Sequence, residues 1–133
     1  MVESIPESHA GLFRDEAKAF AFLGTVMDDG SPHVTPVWFD MQDDLLRINT
    51  ARGRVKDHNM TVRPKVSLAI MDPEDSYRYV HIRGSVVEVT EEEARDHIDR
   101  LANKYLGSER YPWYGGEVRV IYKIRPDLVR VMP

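Results

Sequence analysis

The chain has 133 residues, 42% of them hydrophobic, enough for a single domain with one small core. Its formal charge of -4 argues against general nucleic-acid binding, and the lack of cysteine excludes disulfides, thiolate metal sites and thiol nucleophiles together. Residues 1–7 have neither a basic start nor an apolar run, and no later stretch approaches membrane-spanning length, so a cytoplasmic protein without membrane insertion is expected.

After Pro6, the apolar residues Leu12, Phe13, Ala17 and Phe20 have helical spacing. The pattern then changes to a strand over 22–27, followed by Asp28-Asp29-Gly30-Ser31-Pro32, which carries hairpin turn chemistry. A second strand is predicted over 33–41. Pro36 has no N–H to give to a ladder, so this strand belongs at a sheet edge or is interrupted there. A third strand over 45–50 ends at Thr50 and opens into a basic segment and a short helix, which Arg63-Pro64 stops.

Strands over 65–71 and 77–89 follow, the second with Gly84 as a bend or bulge. Thr90 and Glu93 have capping-box spacing for a helix that buries Ala94, Ile98, Leu101 and Tyr105 and ends at Gly107. The loop Tyr111-Pro112-Trp113-Tyr114-Gly115-Gly116 leads to strands over 118–124 and 128–132. Six or seven mostly hairpin-connected strands with flanking helices predict a mainly β, α+β fold, a small antiparallel barrel occupying residues 1–133 as one domain. Its open edges favour a second subunit, most simply a homodimer.

The densest chemistry lies in Thr50-Ala51-Arg52-Gly53-Arg54-Val55-Lys56-Asp57-His58-Asn59-Met60. Arg52, Arg54 and Lys56 are either solvated surface charges or a phosphate corner. Gly53 lets backbone approach a ligand closely, and a strand end opening into a helix gathers hydroxyl, amide and cationic groups. On that helix Lys56 and Asn59 share a face. In Val34-Thr35-Pro36-Val37-Trp38, the proline leaves backbone groups free for the edge of a flat heterocycle, or simply blocks aggregation at a sheet edge.

The five histidines lack metal-ligand spacing, and no nucleophile elbow is present. Asp28-Asp29 and Asp43-Asp44 read as turn residues. A phosphate corner without acid, base, nucleophile or metal suits a protein whose cofactor carries the chemistry. The aromatic loop 111–114 and Ser76-Tyr77-Arg78-Tyr79 are candidates to line a substrate pocket, or to be covered by a partner subunit.

These residues resemble a known family. Asp29-Gly30-Ser31-Pro32-His33, Pro36-Val37-Trp38-Phe39, Arg54-Val55-Lys56-Asp57-His58-Asn59-Met60 and Tyr79-Val80-His81-Ile82-Arg83-Gly84-Ser85-Val86 follow the pattern of the pyridoxamine-phosphate-oxidase-like split β-barrel flavoproteins, over roughly residues 10 to 132. The chain looks most similar to the small group that uses the deazaflavin coenzyme F420. That resemblance implies a homodimer with cofactor sites at the subunit interface, and direct hydride transfer between the deazaflavin and an unsaturated small molecule (enone, quinone, tetrapyrrole or xenobiotic). FMN is the alternative cofactor, and a non-catalytic carrier of flavin or deazaflavin the alternative function.

Carried over by position, Arg54 and Lys56 would hold the cofactor phosphate, with Thr50, Ala51, Arg52 and Asn59 in support. Thr35, Pro36, Val37 and Trp38 would lie along the ring system. Ser76, Tyr77 and Tyr79, from the other subunit, would edge the pocket. No catalytic side chain and no metal are implied.

Overall fold

The computed structural model describes residues 3–133; Met1 and Val2, part of the amino-terminal stretch read above, lie outside the described residues. The first helical pattern folds as two 3-10 turns, Glu7–Phe13 and Asp15–Ala17, which bury His9, Leu12 and Phe13. Seven strands follow: β1 (Ala21–Val26), β2 (Pro32–Val37), β3 (Phe39–Gln42), β4 (Leu45–Ala51), β5 (Lys65–Asp72), β6 (Asp75–Thr90) and β7 (Arg119–Met132). Helix α1 (Val55–Val62) lies between β4 and β5, and α2 (Ala94–Leu106) between β6 and β7. Among the described residues, no helix is long and apolar enough to cross a membrane.

The strands form one antiparallel sheet in the order β2-β1-β5-β6-β7-β4-β3. The single strand expected over 33–41 is therefore two strands, at opposite edges of the sheet, joined only by Trp38. Two Cα steps span at most about 7 Å, so the edges must meet at that point and the sheet must curl. The result is the expected mainly β split barrel with flanking helices. Pro36 lies on edge strand β2, where no neighbouring strand needs its missing N–H.

Even-numbered positions of β4 and of β7 up to Ile124 face the barrel interior: Leu46, Ile48, Val120, Tyr122 and Ile124 join Leu23, Phe39, Leu68, Ile70, Val80 and Ile82 in the core, with Val129 beyond the register shift. Odd-numbered positions face outward, where α2 packs on β7 and β4 through Ile98 and Leu101, and Ile121 is buried. Strand β6 bends at Gly84, where the register with β7 shifts; a Cβ there would lie 2.6 Å from Ile124 Cγ2. The same shift accommodates Pro126, so the two strands expected over 118–124 and 128–132 run as one. The expected capping box is not formed. Thr90 closes β6 and its Oγ1 accepts the Glu92 N–H, while Glu93 takes a left-handed conformation (φ 64°) ahead of α2. Gly107, also left-handed (φ 72°), ends α2 as expected.

Candidate functional site

Strand β4 ends at Ala51, and the chain turns through Arg52 and Gly53 (φ 91°) into α1. Asp57, in the first turn of α1, organises that turn. Its carboxylate accepts the Gly53 N–H at 3.0 Å, Arg52 Nη1 at 3.1 Å and the Tyr122 hydroxyl at 2.6 Å. Burial pushes the Asp57 pKa up, but the Tyr122 hydroxyl, the Gly53 amide and the Arg52 charge outweigh it and hold the carboxyl below its ordinary value. The counterpart is Tyr122, whose phenol is pushed up to about 12 by burial and by the Asp57 charge.

This arrangement separates the three cations. Arg52 is paired with Asp57 and, at 2.9 Å, with Glu91. Arg54 and Lys56 form no ion pair among the described residues. They line a cavity of about 400 Å³ whose other residues include Pro36, Val37, Trp38 and Thr50. Of the site residues inferred from sequence, these six meet in one place. The Lys56 amine is held below the ordinary lysine value, first by burial and then by the charges of Arg54 and Arg119. A half-buried amine pressed by two guanidinium groups lacks an anion.

The remaining expected residues lie elsewhere. Ala51 is buried in β4 and is outside the cavity lining, as is the paired Arg52. Asn59 is 1% exposed, and its Nδ2 donates to Thr25 Oγ1 at 3.0 Å, tying α1 to β1. Thr35 occupies β2 beside Pro36, its Oγ1 buried without a hydrogen-bond partner among the described residues. Ser76, Tyr77 and Tyr79 lie at the start of β6, outside the cavity, and Tyr77 is 79% exposed.

The cavity also takes in Tyr111 and Trp113 of the 111–114 loop, a pocket candidate from the sequence, and Phe20, Asn49, Ile98 and Arg119, which the sequence reading did not assign to it. Phe20, Trp38, Tyr111 and Trp113 form an aromatic wall. Tyr105 is stacked between Phe20 and Trp38, 5.2 Å from each, while Tyr111 meets Trp38 and Trp113 edge-on. Asn49 and Arg119 complete the polar side. They sit on outward-facing positions of β4 and β7, and Arg119 pairs across the ladder with Ala51. Three cations, of which Arg119 is paired with Glu117, and among the described residues no carboxylate thus line a cavity in a chain of net charge -4. An aromatic wall beside a cationic corner fits a planar ligand that carries a phosphate. Among the described residues, no cluster of metal-ligating side chains is present.

A family model described as pyridoxamine 5'-phosphate oxidase matches residues 10–132. Among solved structures, an F420 reductase is 29% identical with a TM-score of 0.84, covering 95% of this chain and 98% of that chain. A conserved hypothetical protein from Mycobacterium tuberculosis is 22% identical (TM-score 0.72; 97% of this chain, 85% of that chain) and shares the fold. So does General Stress Protein 26 from Bacillus anthracis, at 19% identity (TM-score 0.66; 93% of this chain, 94% of that chain). No curated protein matches the chain.

Proposed function

The chain belongs to the pyridoxamine 5'-phosphate oxidase family, whose fold binds flavin-type cofactors, and on that premise we propose that it is an F420-dependent oxidoreductase. The observation that carries this reading is the cavity itself: unpaired Arg54 and Lys56 beside the Pro36-Val37-Trp38 edge and an aromatic wall. The likeness to an F420 reductase supports the choice of deazaflavin. When bound, such a cofactor supplies hydride transfer to or from an unsaturated small molecule, an enone, quinone, tetrapyrrole or xenobiotic.

The chain's own residues bind and orient. Arg54 and Lys56 hold the phosphate through charge-assisted hydrogen bonds in a site partly shielded from water. Thr50 lends the strand end, and Pro36, Val37 and Trp38 lie along the ring edge. The aromatic wall favours flat ligands and excludes water from their faces. The domain acts as a homodimer, in which Ser76, Tyr77 and Tyr79 approach the site of the other subunit. The exposure of Tyr77 is consistent with that use.

FMN is the second reading, supported by the family match, since it presents a phosphate to the same corner. Titration of the purified protein with F420 and with FMN, followed by absorbance, separates them because their visible bands differ. Saturable binding of F420 in preference to FMN is expected, and the reverse preference overturns the assignment. Oxidation of reduced F420 by any of a panel of enones and quinones is the expected turnover; none would favour a carrier.

A further inference from the structure

Trp38 is the single residue between β2 and β3, the strands at opposite edges of the curled sheet, and it lines the cavity. Its ring is stacked on Tyr105 (5.2 Å, 12° between planes) and meets Tyr111 edge-on. Tyr105 comes from the last turn of α2 and does not itself line the cavity. It also stacks on Phe20, 5.2 Å away and 10° from parallel. One ring outside the cavity thus sets the planes of two members of the aromatic wall.

The Tyr105 hydroxyl uses both its proton and a lone pair. It donates to Ala19 O at 2.6 Å, just ahead of β1, and accepts the Phe39 N–H at 3.3 Å, at the start of β3. Burial pushes its pKa above the ordinary tyrosine value, so the proton stays on the oxygen. The neighbouring Lys104 Nζ donates to Phe39 O at 2.7 Å. Both main-chain polar groups of Phe39, on an edge strand, are therefore met by side chains of α2. One hydroxyl joins the two halves of the barrel at the seam that Trp38 crosses. A phenylalanine at 105 would keep both stacks; the hydroxyl adds a fixed position for the ring, and through it for Trp38.

We propose that Tyr105 is a positioning residue of the cofactor site: its hydroxyl ties the two barrel edges together, and its ring holds Trp38 in place for the cofactor's ring system. This rests on the cofactor reading above, in which Trp38 lies along the ring edge. A side chain ordered before the ligand arrives need not be ordered on binding, an advantage of about two- to tenfold in affinity. Among the described residues, no hydrogen bond joins Tyr105 to Arg54 or Lys56, so the effect is confined to the ring and spares the phosphate corner.

Tyr105→Phe in the full chain tests this, because it keeps both stacks and removes both tethers, a change small enough for the fold to tolerate. In a Trp113→Phe background Trp38 is the one tryptophan, and its quenching by acrylamide reports its mobility without any ligand. Tyr105→Phe is expected to raise the quenching constant about twofold and to weaken F420 about fivefold, while competition by inorganic phosphate stays within about twofold. In a Trp38→Ala background it is expected to change F420 affinity by less than about twofold, because the effect passes through Trp38. Unchanged quenching, an equal loss of phosphate competition, an equal loss of F420 affinity with Trp38 absent, or a loss of urea stability with F420 affinity unchanged overturns the inference while leaving the cofactor reading intact. Failure of the unmutated protein to bind F420 overturns both.

Discussion

Two clusters of charge in this chain use the same residue types to opposite ends. Around Asp40, 1% exposed, the carboxylate accepts Arg47 at 2.6 and 2.8 Å, Arg100 at 3.1 Å and His97 at 3.0 Å. Around the cavity, Arg54 and Lys56 form no ion pair, and the lining they share holds no carboxylate among the described residues. The first cluster is complete within the protein, and removing a member leaves buried charges uncompensated. The second is incomplete, which supports the proposal that a ligand's anion completes it. Buried, satisfied charge marks structure; half-buried, unsatisfied charge of one sign marks a binding site.

That contrast sets the expected effects. Asp40→Ala is expected to destabilise the fold by about 3–5 kcal/mol in urea unfolding, because it strands Arg47, Arg100 and His97. Lys56→Ala should change stability by no more than about 0.5 kcal/mol, having no partner to lose. Equal costs would erase the distinction between the clusters.

The pH responses should differ in the same way. Burial opposes ionisation of Asp40, but His97 and Arg47 outweigh it and hold the carboxyl well below its ordinary value of 3.8. Its contribution to stability is therefore present above about that pH and is lost as the pH falls further. Lys56 is depressed from 10.5. Phosphate affinity should hold at neutral pH and fall as the pH rises toward the lowered lysine value, before an ordinary lysine would titrate. Loss of affinity on the acid side, with none on the alkaline side, would place the anion elsewhere.

Tyr122→Phe removes the hydroxyl that holds Asp57 and should cost about 1 kcal/mol, with a small loss of cofactor affinity as the Arg52-Gly53 turn loosens. Arg52→Ala should be the mildest change, within about 0.5 kcal/mol in stability, since its pairs are partly exposed to solvent. It should also weaken the cofactor less than Arg54→Ala does. A larger effect of Arg52 would make it, rather than its neighbour, a phosphate ligand.

Much of this was legible in the sequence. Alternating apolar residues marked the strands, Pro36 marked an edge, Gly107 a helix end, and the unusual density of cations pointed to the candidate site. The parts that were not legible depend on which elements meet. No local signal in Val37-Trp38-Phe39 reveals that one strand belongs to both edges of a curled sheet. Pro126 reads as a strand break until the bulge opposite Gly84 absorbs it. Arg52 and Arg54 are equivalent by composition, and they are divided by Asp57, fixed by Tyr122 from a distant strand, and by Glu91. Arg119 and Asn49 read as ordinary outward strand residues until α2 and the 111–113 segment build a cavity over them. The Thr90–Glu93 capping box failed because β6 continues through Thr90, so its side chain caps a turn instead.

The most direct test is equilibrium titration of F420 and FMN into the unmutated protein and Lys56→Ala, with unfolding followed on the same samples. The expected result is that Lys56→Ala weakens the bound cofactor by about tenfold to a hundredfold, the worth of a charge-assisted hydrogen bond, while stability is unchanged. Equal affinity in the two proteins would contradict the assignment of Arg54 and Lys56 to the cofactor phosphate.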